Sequence, residues 1–154
     1  SATTRAPRGA EKNGEDYYFL NEETFKTKIR KKEFLEYEEV YKGLFYGTLE
    51  SEVKRLWSEN KAVLFDIDVM GGISIKNSFP NKTLTVFVQP PSIETLERRL
   101  KLRNTDNEKT LQVRLNKAQQ ELDQADRFDK IIINDDLATT LSETEELVRA
   151  FLST

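Results

Sequence analysis

Three short apolar runs have the pattern of buried β-strands. They cover residues 62–68, 84–88 and 131–136, and the first and last end in carboxylate or amide side chains. Near-continuous apolar runs of this length are typical of parallel strands that are covered on both faces. We therefore predict three strands of a parallel sheet. Their carboxyl ends should share one rim, because ligand sites of open α/β sheets lie there. That rim would carry Asp66, Asp68, Gln89, Asn134 and Asp135.

Apolar residues at helical spacing separate and follow these runs. The spacing predicts helices at Leu49–Asn60, Ile73–Phe79 and Ser92–Leu102. The next predicted helix repeats apolar residues by four and three, at Leu111, Leu115, Ala118, Leu122 and Ala125. Capping boxes at Thr105-x-x-Glu108 and Ser142-x-x-Glu145 predict where that helix and the last one begin. Because strands alternate with helices, we expect an α/β fold.

Residues 1–48 have a different pattern. Phe25 and Ile29 have helical spacing, and two strand-like runs at 34–40 and 44–46 flank Lys42-Gly43. We therefore predict a small mixed α+β lobe at 1–48 that is attached to an α/β core at 49–154.

The composition limits the kinds of binding site and reaction that the chain can support. The chain has 154 residues, a net charge of −3, no cysteine and no histidine. These values disfavour nucleic-acid binding and exclude a zinc site of the usual ligands, a disulfide framework and Ser–His or Cys–His catalysis. No apolar run approaches the ~18–20 residues of a membrane helix. We expect a cytoplasmic monomer or homodimer with no membrane partner. Phosphoryl transfer stays open, because it depends mainly on positioning and charge stabilisation.

Two arginines near the first residue form a candidate anion site. Arg5 and Arg8 lie among hydroxyl side chains, and Tyr17-Tyr18 follows. Arginines this close can converge on one phosphate as charge-assisted donors, and a phenol can add another. The alternative is a pair of solvated charges on a flexible segment.

Acidic residues form a second candidate site. The Glu36 carboxylate can accept two hydrogen bonds side by side, which matches the N1–H and N2–H₂ donors of guanine, whereas adenine presents an acceptor at N1. The alternative is an outward-facing strand residue. Asp66 and Asp68 would share one face of the predicted strand, where two acids need a cation or donors to offset their repulsion. For Thr48 the alternative is the N-cap of the following helix.

Arginines frame the polar loop at residues 104–107. Arg99 and Arg103 lie four apart on one helix face, and Arg114 lies on the next helix. We predict a lid at about 95–118 that brings guanidinium groups over transferring phosphates. The alternative is a solvated surface in which Glu94 and Glu97 pair with these arginines.

Taken together, these motifs resemble guanylate kinases, which transfer a phosphoryl group from ATP to GMP. The matching motifs follow in order along essentially the whole chain. They are Thr3-Thr4-Arg5-x-x-Arg8-x-x-Glu11-x-x-Gly14-x-x-Tyr17-x-Phe19, Glu33-Phe34-Leu35-Glu36, Tyr46-Gly47-Thr48, Asp66-Ile67-Asp68, Pro90-Pro91-Ser92, Arg103-x-Thr105 and Ile133-Asn134-Asp135-Asp136-Leu137. The resemblance implies a P-loop-kinase-like parallel sheet core, a small mixed α+β GMP-binding lobe and a helical lid.

The resemblance also implies a role for each candidate residue. The GMP phosphate would be held by Arg5, Arg8, Tyr17 and Tyr46. The guanine edge would be read by Ser1, Glu36 and Thr48. Asp68 would support guanine or ribose contacts, and Asp66 would lie near magnesium and the phosphates. Catalytic lid arginines would be Arg99, Arg103 and Arg114. The adenine of ATP would lie beside Asn134 and Asp135. Mg²⁺ would enter as Mg-ATP, with no residue of this chain assigned as its ligand.

The chain departs from the family pattern at several places. Met70 stands where the family usually has glutamine, and Leu102 and Asn104 replace glycines that flank the lid arginine. Because no charge is lost, we expect altered lid mobility rather than lost activity. The chain contains no G-x-x-x-x-G-K-[ST] P-loop, which in the family lies with a first strand roughly thirty residues before the position of Arg5. We expect that segment to be missing, and the chain to bind GMP better than it transfers phosphate.

Two other functions remain open at this point. One is the guanylate-kinase-like module of scaffold proteins, which binds phosphopeptides without catalysis. The pair of Asp66 and Asp68, Ser1 and the lid arginines favour the enzyme. The other is a kinase for a different monophosphate, which Glu36 together with Thr48 disfavours.

Overall fold

A computed structural model describes residues 1–103 and 108–153 of the chain. The chain divides into two compact units, Ser1–Ser78 and Phe79–Thr154. The predicted division into a lobe at 1–48 and a core at 49–154 concerns the function of each part, not its compactness, and it stays a prediction. Among the described residues no helix is long and apolar enough to cross a membrane.

The Ser1–Ser78 unit is built on a four-stranded sheet with the order β2-β1-β4-β3. Its strands are β1 (Ala2–Thr3), β2 (Tyr18–Phe19), β3 (Phe34–Tyr41) and β4 (Leu44–Leu49). β3 and β4 pair antiparallel, so the predicted strand pair is confirmed. The turn between them uses Gly43 at φ 80°, a conformation that glycine adopts without steric cost.

One face of this sheet carries an aromatic core. Helix α1 (Glu22–Arg30) begins at Asn21, whose side chain accepts from the Thr24 N–H at 2.7 Å. The helix inserts Phe25, which is fully buried and stacks on Phe34 and Phe45 at centroid distances of 4.3 and 5.3 Å. Strand side chains alternate between faces, so the neighbours of Phe45 on β4 point to the opposite face.

Two more helices complete the unit, α2 (Glu50–Ser58) and α3 (Val69–Ser78). Both were expected from apolar spacing, although α3 starts four residues before the predicted Ile73. Helix α3 packs against β3. The opposite face of the sheet is therefore partly covered by the start of α3.

The predicted strand at residues 62–68 is wrong. Residues 61–68 form neither helix nor strand, and Leu64 is 90% exposed. A strand exists through hydrogen bonds to a neighbouring strand, and no other described strand pairs with this run. The argument that strand periodicity puts Asp66 and Asp68 on one face therefore fails.

The Phe79–Thr154 unit contains two parallel strands, β5 (Val86–Gln89) and β6 (Lys130–Ile133). The other two predicted strands and their parallel arrangement are therefore confirmed. Gln89 lies opposite Ile133, and the Asn134 N–H donates to the Gln89 carbonyl at 2.7 Å. The carboxyl ends of both strands thus lie together.

Helices α4 (Ile93–Arg103), α5 (Glu108–Leu122) and α6 (Leu137–Leu152) belong to this unit. The capping box predicted at Ser142 is wrong. Helix α6 begins at Asp136, whose carboxylate accepts from the Thr139 N–H at 2.9 Å, so Ser142 and Glu145 lie inside the helix. The box at Thr105-x-x-Glu108 begins outside the described residues.

Candidate functional site

A row of polar side chains crosses the sheet of the Ser1–Ser78 unit. Glu36 on β3 lies opposite Thr48 on β4. Ala2 lies opposite Gly47, and this antiparallel register brings Ser1 alongside Thr48. Residues directly opposite one another carry their side chains on the same face of a sheet. The three residues expected at the guanine edge therefore belong to one cross-strand row.

Glu36 and Thr48 also interact. The hydroxyl and backbone N–H of Thr48 favour the charged form of the Glu36 carboxylate and so act to lower its pKa. Burial nevertheless raises the pKa of Glu36 above its usual value, and the charge of Asp68 raises it further. Thr48 is not the N-cap of α2, because that position belongs to Leu49. The row thus presents a half-buried carboxylate whose charge is costly until further donors reach it.

Asp68 joins this row at the start of α3. Its Oδ1 accepts from the Gly71 N–H at 2.8 Å. A Cβ atom on Gly71 would lie 3.2 Å from Asp68 Oδ1 and 3.3 Å from Glu36 Oε2. Glycine at this position lets the helix start approach both carboxylates. Asp66 is exposed, and its side chain has no hydrogen bond or ion pair to a described residue. The structure therefore brings Asp68, but not Asp66, to the row.

Arg5 is held in a second polar cluster of the same unit. Its Nη1 and Nη2 donate to the two carboxylate oxygens of Glu11 at 2.8 and 2.9 Å, and Nη1 also donates to the Ala6 carbonyl at 2.7 Å. The guanidinium lies 5.4 Å from the ring centroid of Tyr17 and 5.7 Å from that of Phe19. These contacts leave the side chain 11% exposed. Arg5 is thus fixed in place rather than solvated.

One donor in this cluster is left for an anion. Hydrogen bonding to Glu11 raises the pKa of Arg5 above its usual value, and the hydroxyl of Tyr46 adds to that rise. The Tyr17 and Tyr46 rings meet edge to face at 6.2 Å. Arg5 Nε is buried and has no hydrogen-bond partner in the described structure. Buried donors are nearly always satisfied, so this donor lacks an acceptor that a ligand can supply.

The other residues of the Arg5 motif make different contacts from those of Arg5. Arg8 is exposed, and its backbone N–H donates to Glu11 Oε2 at 2.7 Å. The Thr3 hydroxyl donates to the Phe45 carbonyl at 2.9 Å and the Thr4 hydroxyl to the Gly43 carbonyl at 2.8 Å. These hydroxyls tie the segment to β4 and its turn and are not left for a ligand.

Sequence reasoning missed the contributions of Glu11, Phe19 and Gly71. Glu11 appeared only as part of a motif, although an acid six residues after one arginine and three after another is a visible candidate partner for both. Phe19 lies two residues from Tyr17 on an adjoining strand, so its ring faces the same guanidinium. Gly71 follows the Asp66 and Asp68 pair in the sequence, but its role could not be assigned there, because the atoms that crowd it come from Asp68 and from a distant strand.

The Phe79–Thr154 unit carries its own polar site at the end of β6. Arg99 on α4 donates from Nη1 to the Asn134 carbonyl at 2.7 Å and from Nη2 to the Asp135 carbonyl at 3.1 Å. One predicted lid arginine thus meets the two residues expected beside adenine. Arg114 is exposed on α5, which packs against α4. The Arg103 side chain lies outside the described part of the structure.

Comparison with known proteins matches this chain to guanylate kinases. Residues 1–151 match the family model described as guanylate kinase. The chain is 47% identical to the guanylate kinase of Porphyromonas gingivalis and 48% identical to that of Salinibacter ruber, over 99% of this chain and 81% of each relative. The crystal structure of a guanylate kinase from Anaplasma phagocytophilum has a TM-score of 0.75 at 30% identity, over 97% of this chain and 72% of that chain.

Proposed function

This chain belongs to the guanylate kinase family, the phosphotransferases that act on ATP and GMP, and from that premise we propose a role for each polar cluster. The resemblance of the sequence motifs to this family is confirmed, as is the P-loop-kinase-like α/β fold class. The match favours the enzyme over the phosphopeptide-binding module. Cytoplasmic location and a monomeric or homodimeric state stay predictions.

The Glu36 row is proposed to read guanine, and its hydrogen-bonding supports this most strongly. A half-buried carboxylate with a raised pKa gains most from paired donors, and the N1–H and N2–H₂ groups of guanine supply two side by side. Thr48 already orients the carboxylate, and Ser1 adjoins Thr48 through the strand register. Asp68 is proposed to contact guanine or the ribose from the start of α3.

The Arg5 cluster is proposed to hold the GMP phosphate. The unpartnered Arg5 Nε–H gains the acceptor that it lacks, and the phenols of Tyr17 and Tyr46 adjoin the same guanidinium. Arg8 is exposed and adds a second positive charge from the same loop. Charge-assisted hydrogen bonds of this kind are about twice as strong as neutral ones.

In the reaction an oxygen of the bound GMP phosphate attacks the γ-phosphorus of ATP. A new P–O bond forms as the bond to the β-phosphate oxygen breaks, which gives GDP and ADP. We propose that Arg99, Arg103 and Arg114 stabilise the charge of the transferring group. Because the hydrogen bonds of Arg99 within the described structure go to the backbone carbonyls of Asn134 and Asp135, the side chains of these two residues remain available to adenine.

Magnesium enters this proposal together with ATP. The described residues contain no group of three or more histidine, cysteine or acidic side chains that could hold a metal ion. Mg²⁺ commonly keeps several waters and binds through one or two carboxylates plus substrate phosphates, and we propose that it enters as Mg-ATP. The exposed carboxylate of Asp66 is the group that we propose near the ion, where Mg²⁺ would neutralise phosphate charge.

Ligand-induced thermal stabilisation tests the guanine assignment. A ligand at 100 times its Kd stabilises the folded state by about 2.7 kcal/mol. GMP should therefore raise the melting temperature of the chain, while AMP at equal concentration should leave it unchanged, because adenine offers an acceptor where Glu36 needs a donor. Equal shifts with both nucleotides would refute the assignment of Glu36 and Thr48 to guanine.

A further inference from the structure

One donor of the Arg5 guanidinium, the buried Nε–H, has no partner among the described residues. Arginine carries five N–H donors in a rigid planar fork. Glu11 occupies the end formed by Nη1 and Nη2, and the Ala6 carbonyl takes the second Nη1 hydrogen. The aromatic rings of Tyr17 and Phe19 lie against the guanidinium at 5.4 and 5.7 Å. The Nε–H is left, on the edge of the guanidinium that also carries Nη2, and an arginine edge of this kind matches two oxygens of one phosphate.

Glu11 decides which edge remains open. Its carboxylate grips the end of the guanidinium through both oxygens, so the side chain of Arg5 cannot rotate to offer another edge. The same Oε2 accepts from the backbone N–H of Arg8 at 2.7 Å. One carboxylate thus joins the side chain of the first arginine to the backbone of the second. The Arg5 guanidinium also lowers the pKa of Glu11, which keeps the carboxylate charged.

We propose that Glu11 is a positioning residue for the acceptor phosphate of GMP. It touches no substrate atom itself; it holds Arg5 with the Nε–H available, and it sets the loop that carries Arg8. This inference rests on the proposed assignment of the Arg5 cluster to the GMP phosphate. A purely structural Glu11 would stabilise the loop without favouring one ligand over another, so the two roles differ in what a substitution does to binding.

Binding of GMP and guanosine to Glu11→Gln separates these roles. Guanosine carries the same base and ribose without the phosphate. The amide keeps the size of Glu11 but has only one oxygen to face the guanidinium. Because a hydrogen bond to a charged group is worth roughly 1.5–3 kcal/mol, GMP affinity should fall by about tenfold to a hundredfold. Guanosine affinity should stay within about twofold, and both are measured by calorimetric titration of the 154-residue chain.

Glu15→Gln is the matched control. Glu15 is exposed and pairs with Lys12 at 3.3 Å in the same loop, so its substitution should change neither affinity. Equal losses for GMP and guanosine in Glu11→Gln, or no loss for GMP, would overturn the positioning role. If the parent chain itself binds guanosine as tightly as GMP, the assignment of Arg5 to the phosphate fails, and the inference with it.

A second variant covers the case in which Glu11→Gln does not fold. Glu11→Asp keeps the charge but is one methylene shorter, so it cannot reach both guanidinium nitrogens and the Arg8 N–H together. Circular dichroism establishes that the variant is folded before titration. We expect a selective loss of GMP affinity that is smaller than for the amide, and an unchanged ratio of GMP to guanosine affinity would again contradict the proposal.

Discussion

Replacing Glu36 by glutamine should separate nucleotide binding from stability. In the parent chain the carboxylate is half-buried, lies opposite Thr48 in the strand register and lies beside the negative charge of Asp68. Glutamine has nearly the same shape but turns one acceptor into a donor. In the proposed complex that donor faces an N–H group of guanine, so one hydrogen bond is lost and two donors oppose each other.

The contacts allow the size of this effect to be worked out. A lost hydrogen bond to a charged group costs about 1.5–3 kcal/mol, and a donor left without an acceptor adds to that, so we expect a total of about 2–4 kcal/mol. At 1.4 kcal/mol for each factor of ten, GMP affinity should fall by about 30-fold to 1,000-fold. The unfolding free energy should stay equal or rise, because the amide needs no compensation for a buried charge and is not repelled by Asp68.

Calorimetric titration with GMP, together with denaturant unfolding of the free chain, measures both quantities. Glu39→Gln is the matched control on the same strand. Glu39 is exposed, and its Oε1 accepts from the Gly43 N–H at 2.8 Å, a contact that an amide oxygen can keep. A GMP affinity of Glu36→Gln within about twofold of the parent would refute the guanine contact. A large loss of stability with unchanged affinity would show that Glu36 is structural.

Two further predictions concern the same row. Because burial raises the pKa of Glu36, the ionised carboxylate destabilises the fold, and this destabilisation is complete above the raised pKa. It is relieved as the pH falls towards the ordinary glutamate pKa. As the pH falls from the raised pKa to the ordinary glutamate pKa, the free energy of unfolding should therefore increase and GMP affinity should decrease. Both trends should vanish in Glu36→Gln. A free energy of unfolding and a GMP affinity that change in the same direction with pH would contradict this. Gly71→Ala places a Cβ atom 3.2 Å from Asp68 Oδ1 and 3.3 Å from Glu36 Oε2, so GMP affinity should fall by roughly fivefold, the equivalent of about 1 kcal/mol of crowding. Alanine has a helix propensity about 1 kcal/mol more favourable than glycine, which should offset the crowding in the free energy of unfolding. An unchanged GMP affinity by titration would mean that the two carboxylates move aside without cost.

Local patterns predicted the elements whose determinants lie close together in sequence. The pair of β3 and β4 followed from two strand-like runs around a glycine that must take positive φ. Helix α1 followed from the spacing of Phe25 and Ile29. The predicted strand at residues 62–68 was wrong because an apolar run becomes a strand only beside another strand with which it can pair. Local composition does not indicate whether such a strand is present. The predicted start of α6 at Ser142 was wrong because the helix begins at Asp136, six residues earlier. Asp and Ser are about equally favourable N-caps, so local sequence does not choose between them.

What the sequence determined by itself was the set of chemical groups and their order along the chain. Two arginines, two tyrosines and a strand glutamate at family spacing were enough to indicate GMP as the substrate. The tertiary structure decided how these groups are presented. Strand register aligned Glu36 with Thr48, and the start of α3 brought Asp68 against them. The contacts of Glu11 and two aromatic rings fixed Arg5 with its Nε–H unpartnered among the described residues. Burial and hydrogen-bond partners depend on residues far apart in the chain, and only the fold brings those together.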